Sequence, residues 1–193
     1  ALAEGHPYFV LGTLRVSPNH RFLAYTIDLN GSEHFTVHVK DLETGSILND
    51  SLQEADTAIE WYADSSTFLY MILDETRRAY KIAKHVLGQS QSEDMILLHE
   101  PDEAFFLGID KSRDGKYLFI ESESKTTSEC WILSAEDTSS SPRSIAEREH
   151  GHEYHVTSHG HTLYVLSNRA GVNFSLLTAQ VDQPNAWAEV LPH

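Results

Sequence analysis

Cysteine is nearly absent from this chain of 193 residues, where Cys130 stands alone. One thiol excludes an internal disulfide framework and fits a reducing compartment, so a cytoplasmic location is expected. Its segment, SECWIL, reads as a strand, and no basic or histidine neighbour adjoins it to favour a thiolate, so Cys130 is read as a small buried hydrophobe. Positive charge is also scarce, with 14 Lys and Arg against 29 Asp and Glu and a formal net charge of -15. That balance argues against nucleic acid as a partner, because binding it needs cationic side chains to neutralise phosphates. An acidic body can attract cationic peptides by long-range steering, although solubility alone is sufficient reason for such a charge. No run of about 18 or more apolar residues exists, so no membrane-spanning helix is expected. The first residues, ALAEGHPYFV, lack the basic, apolar and small-residue order of a secretory signal. Asn30, Asn49 and Asn173 open N-x-S triplets, a pattern short enough to arise by chance.

What the chain does have is a repeat. The segment VSPNHRFLAY (residues 16–25), a turn followed by a short apolar strand, recurs as YADSSTFLYM (62–71), KSRDGKYLFI (111–120) and TSHGHTLYVL (157–166). The first bulky residue after each turn is Phe22, Phe68, Tyr117 and Leu163, at intervals of 46, 49 and 46 residues. Phe35, Tyr80, Glu129 and Phe174 form an independent series spaced 45, 49 and 45 apart. Two anchor series agreeing on one period define a repeat architecture, with 40% hydrophobic residues to build its core.

Each repeat reads as a four-stranded antiparallel meander. The first has strands at 11–17, 21–29, 34–42 and, weakly, 46–50, broken by Pro18-Asn19-His20, Asn30-Gly31 and Thr44-Gly45. The second has 57–62, 67–74, 79–87 and 94–100; the third 104–110, 116–124, 128–136 and 143–149. The fourth has 152–158, 162–169, 173–181 and 186–191, with a turn at 182–185. The polar run DTSSSP (137–142) is expected to be disordered. Approximate blade limits are 11–53, 54–101, 102–149 and 150–193.

Residues 68–73 are apolar without alternation, and a strand apolar on both sides must be covered on both sides. Repeating meanders of about 40 to 50 residues with such strands predict an all-β fold, a partial β-propeller of about four blades packed face to face. A plain sandwich would show stronger inside-outside alternation than FLYMIL or YLFI does. The Gly-His to Trp-Asp and Gly-Gly patterns of the two commonest propeller families are absent.

Several motifs carry a resemblance along nearly the whole chain. They are VSPN with LAYTID, FTVHVKDLETG (35–45), IEWYADSSTFLYM (59–71), SESKTTSE (122–129), HEY (152–154) and SNRAGVNF (167–174). In order and spacing they resemble the propeller of the oligopeptidase B group within the prolyl oligopeptidase family of serine peptidases. The resemblance implies a seven-bladed propeller capping an α/β-hydrolase domain that holds the Ser, Asp and His of a catalytic triad. Seven blades would need roughly 320 residues, so this chain resembles part of such a propeller, without a hydrolase domain.

Serine hydrolases of that kind need a nucleophile on a sharp strand-to-helix turn, written G-x-S-x-G. The pentapeptide does not occur, and no catalytic residue is assigned. His150, His152, His155, His159 and His161 cluster in sequence, and residues two apart on a strand share a face, so a shared metal is one reading. Surface or interblade hydrogen bonding is favoured, and no metal or cofactor is expected. Arg77, Arg78 and the segment from Arg143 to Arg148 are read as turn residues or local ion pairs rather than a docking site. Trp61, Trp131 and Trp187 are read as blade packing.

The resemblance implies a parent protein that hydrolyses short peptides after Arg or Lys through an acyl-enzyme, with the propeller restricting access. The expected partners are the hydrolase domain of the same polypeptide and short basic peptides. The alternative is a stand-alone propeller-like interaction module without peptidase activity. A body of four blades leaves two blade faces without blade partners, so self-association is expected.

Overall fold

The computed structural model describes residues 2–192 and divides into two compact units, Ala1–Pro101 and Asp102–His193. Among the described residues, regular structure is antiparallel strand apart from one 3-10 turn, Gln91–Glu93. The first unit is a seven-stranded sheet in chain order: β1 Val10–Val16, β2 Phe22–Asp28, β3 Phe35–Asp41, β4 Ile47–Trp61, β5 Thr67–Leu73, β6 Ala79–Val86 and β7 Met95–His99. The second unit holds two four-stranded meanders. One comprises β8 Phe106–Lys111, β9 Tyr117–Glu123, β10 Ser128–Ser134 and β11 Arg143–Ser144. The other comprises β12 Tyr154–His159, β13 Thr162–Ser167, β14 Ser175–Gln180 and β15 Gln183–Leu191.

The repeated sequence unit is a hydrogen-bonded turn. In the first blade Ser17 N–H donates to the Phe22 carbonyl, Phe22 N–H donates to Ser17 Oγ, and Ser17 Oγ donates to Asn19 Oδ1. Ser112, Asp114 and Tyr117 reproduce the same three bonds in the third blade. The second blade keeps the backbone bond from Tyr62 to Thr67 but uses the Asp64 carboxylate to hold Ser66 and Thr67. In all three the fourth turn residue, His20, Ser65 or Gly115, has φ between 60 and 76°, the left-handed region that makes so tight a reversal possible. The fourth blade shortens the turn to Gly160-His161 between the paired residues His159 and Thr162.

Strand limits follow the expected meanders with three differences. The strands expected at 46–50 and 57–62 are one strand, β4, which runs across the expected limit between residues 53 and 54. Its first half pairs with β3 and its second half with β5, and Ala55 is opposite both Phe35 and Ile72. Glu54, at φ 57°, turns the backbone at that corner without breaking the strand. The last strand of the third blade is two residues long, not seven. Ile145 N–H still donates to the Cys130 carbonyl, and after it the backbone leaves the ladder, with Ile145 and Ala146 both buried. Finally, β15 starts at Gln183 because the hairpin turns at Val181-Asp182, and Pro184 is tolerated since β15 is an edge strand. The run 137–142 is a turn closed by Ser140 N–H on the Asp137 carbonyl and by Ser134 N–H on Ser140 Oγ.

Apolar faces meet between blades within each unit. In the first, Ala24, Val37, Val39 and Leu52 pack on Ile59, Trp61, Phe68 and Tyr70. In the second, Phe119, Cys130, Ile132 and Ile145 pack on Tyr154, Leu163, Val165 and Ala179. Full burial of an apolar side chain of this size contributes about 1.5–3 kcal/mol, so these interblade layers dominate the stability. Phe68, Leu69, Tyr70, Met71 and Leu73 are all buried, as their unbroken apolar sequence requires. Cross-blade hydrogen bonds fix the register: Trp61 Nε1 donates to the Arg15 carbonyl at 2.9 Å, and Asn19 N–H donates to Ser65 Oγ at 3.0 Å.

Candidate functional site

Much of the acidic excess is spent on turns. Asp28 accepts the N–H groups of Asn30, Gly31 and Glu33, and Asp41 accepts those of Glu43 and Thr44. Asp74 accepts from Thr76 and Arg78. A hydrogen bond from the Thr76 hydroxyl, helped by backbone N–H groups and Arg78, pulls the Asp74 carboxyl down to about 2.

One polar network lies inside the first unit. His85 on β6 is fully buried, with Nε2 2.9 Å from Asp50 Oδ1 on β4 and Nδ1 2.7 Å from Asp94 Oδ1 just before β7. Tyr70 on β5 donates its hydroxyl to Asp94 Oδ2 at 2.8 Å, and Gln91 Nε2 donates to that hydroxyl at 3.3 Å. A histidine between carboxylates has the parts of an acid-base relay, but this one is closed to solvent and has no serine or cysteine nucleophile among its partners. Sequence reasoning missed it because positions 50, 85 and 94 meet only through pairing and blade packing.

A second acidic group is half-buried, with Asp110 exposed. On β8 and β9, Glu121 stands opposite Gly108 and Glu123 opposite Phe106, while Asp110 is on the same face. Gly108 presents no side chain over Glu121; an added Cβ would lie 3.9 Å from Oε2. Burial pushes the Glu121 carboxyl up, and the charges of Glu123 and Asp110 add to the shift. Glu123 Oε1 lies 3.5 Å from Nδ1 of exposed His155 on β12. The arrangement presents negative potential on the face shared by β8 and β9, suited to a cationic side chain.

The clustered histidines do not converge. His152 is buried, with Nε2 2.8 Å from Ser167 Oγ and its ring stacked on Tyr154, and burial lowers its pKa. His161 Nδ1 lies 3.0 Å from the Tyr117 hydroxyl, while His150 and His159 are exposed. Among the described residues no group of three or more His, Cys, Asp or Glu could hold a metal ion. Arg78 and Arg148 are engaged within their own blade, while Arg77 and Arg143 reach the neighbouring one. Arg77 pairs with Glu33 at 2.6 Å, buried Arg78 with Asp74 at 2.9 Å, and Arg148 with Glu129 at 3.0 Å. Arg143 donates to the Val181 carbonyl. Trp61 is buried against Phe68, Trp187 packs half-buried on Tyr154, and Trp131 is half-buried in β10. Burial pushes the Cys130 thiol well up, away from thiolate reactivity.

Four-stranded antiparallel meanders, packed blade on blade within each unit and carrying no nucleophile elbow, define a fragment of a β-propeller. The family model for the N-terminal β-propeller domain of prolyl oligopeptidase matches residues 1–193, and the chain belongs to that family. It is similar to dipeptidyl aminopeptidase BI of Pseudoxanthomonas mexicana, 34% identical over all of this chain and 27% of that protein. Protease 2 of Moraxella lacunata is 30% identical over all of this chain and 28% of that protein. Among solved structures, oligopeptidase B from Leishmania major superposes with a TM-score of 0.94 at 30% identity, covering all of this chain and 28% of that one. Oligopeptidase B from Trypanosoma brucei with covalently bound antipain, in its closed form, gives 0.90 at 31% identity, covering all of this chain and 27% of that one. The chain therefore spans little more than a quarter of the length of these relatives.

Proposed function

We propose that this chain is the non-catalytic propeller segment of a serine oligopeptidase similar to oligopeptidase B. The hydrolase domain is carried by the same polypeptide. The single observation that carries the reading is the agreement along the entire chain, in sequence and in superposition, with the propellers of such peptidases. In this role the blades restrict access to the active site, so that short peptides enter and folded proteins do not. The parent enzyme cleaves after Arg or Lys by acyl-enzyme chemistry in the cytoplasm. The carboxylates of exposed Asp110 and half-buried Glu123 support the preference for basic peptides by drawing them in electrostatically.

The test uses the parent protein and this chain side by side. The parent is expected to turn over a short arginyl amide peptide and to leave a folded protein bearing exposed arginines intact; this chain alone is expected to show no turnover. Hydrolysis by the isolated chain, or a parent gene without further blades and a G-x-S-x-G motif, overturns the reading in favour of an independent interaction module.

A further inference from the structure

The buried Asp50, His85 and Asp94 constitute, we propose, a proton-dependent latch that holds the outer strand of the first blade to the second blade when the imidazole carries both protons. Its hydrogen-bond directions can be traced from groups whose roles are fixed. Gln53 N–H donates to Gln91 Oε1 and Gln91 Nε2 donates to the Gln53 carbonyl, which sets the orientation of the Gln91 amide. The same Nε2 donates to the Tyr70 hydroxyl, so the phenolic proton points to Asp94 Oδ2, which accepts. At the other end Gly88 N–H, a donor only, points to Asp50 Oδ1 at 2.6 Å. Both carboxylates are thus engaged as acceptors, and each also faces one ring nitrogen of His85. A neutral imidazole has one N–H and would leave a nitrogen lone pair against a carboxylate oxygen at 2.7 or 2.9 Å. The doubly protonated ring donates to both carboxylates and satisfies both contacts.

The groups facing His85 are Asp50 from β4, Asp94 ahead of β7, the Tyr70 hydroxyl from β5 through Asp94, and the Phe68 ring from β5 at 5.2 Å. Burial opposes the charge most strongly. Hydrogen bonds to Asp94 and Asp50 and their two charges outweigh it, and the His85 pKa is raised above its ordinary 6.5. A raised folded value means that the stabilisation is complete below the unfolded value and is lost as pH rises through the folded one. Alkaline conditions therefore release β4 from β6 while leaving the apolar layer between the blades in place.

Hydrogen exchange measured by mass spectrometry on the full-length parent protein from pH 6 to 9, corrected for intrinsic exchange rates, tests the latch. Peptides covering β4 and β6 are expected to lose protection by at least about fivefold across that range relative to peptides covering β9 and β13. In His85→Gln, whose amide does not titrate in this range, the pH dependence of β4 and β6 is expected to vanish. Flat wild-type protection overturns the proposal without the variant having to fold. An unchanged slope in a folded His85→Gln overturns it as well.

Discussion

Tyr154 joins the fourth blade to the third by accepting the backbone N–H of Cys130 on its hydroxyl oxygen at 2.8 Å. The same hydroxyl donates to the Ala146 carbonyl at 3.2 Å, at the point where the backbone has left β11. The ring meanwhile fills the apolar layer between the two blades. One side chain thus supplies both packing and the hydrogen bonds that an irregular stretch of backbone would otherwise lack.

Replacing it by phenylalanine keeps the ring and removes the oxygen. Tyr154→Phe is expected to cost about 1–3 kcal/mol, the penalty for a buried donor left unpaired. Denaturant unfolding of the two proteins, compared at equal slope, measures it.

Gly12 is the tightest position in the first blade. A Cβ there would sit 2.4 Å from Thr26 Oγ1 and 2.9 Å from the Phe35 ring, at the bulge where β1 and β2 change register. Gly12→Ala is expected to destabilise by about 1–3 kcal/mol through overpacking, read as a lower Tm. The same change at Gly45, whose position has open space but φ 77°, is expected to cost about 1 kcal/mol from backbone strain alone.

His152 is expected to make the second unit acid-sensitive. Burial lowers its folded pKa below 6.5, so the unfolded chain takes up a proton more readily and stability falls as pH drops through the ordinary histidine range. Thermal melts between pH 7.5 and 5 are expected to show a falling Tm, and the slope should flatten in His152→Gln. The sign is opposite to that of His85, so the two histidines together favour a narrow band near neutrality.

The outward face of the fourth blade carries Tyr164, Leu166 and Leu191, each more than a third exposed. The isolated chain is expected to self-associate through this apolar surface, seen by light scattering as a mass above 21.8 kDa that grows with concentration. Leu166→Glu with Tyr164→Lys is expected to return it to the monomer. A clean monomer of the unaltered chain at high concentration would remove this surface from consideration.

Local chemistry was legible in the sequence, while meetings between distant positions were not. The turns announced themselves because Ser17 with Asn19, and Ser112 with Asp114, act within five residues of chain. Apolar strands such as residues 68–73 announced coverage on both faces. The corner at Glu54 was invisible because a glutamate in the left-handed region is dictated by pairing on either side of it, not by its own preference. Likewise His150 and His152 were placed together by alternation, yet one is exposed and the other buried, since both precede β12 in a turn through Gly151 at φ 82°, where strand alternation does not hold. His85 gave no signal at all, its two carboxylates arriving from 35 residues before and 9 after.

The continuous strand β4 puts the inherited repeat and the mechanical unit out of phase. A pull on the N-terminus is borne by β1, β2 and β3 together with a strand whose far half is also stitched to β5. Tension therefore passes directly into the second blade. Under load, in a force spectrometer or an unfoldase, the first two blades should yield as a single event about twice the contour length of one repeat.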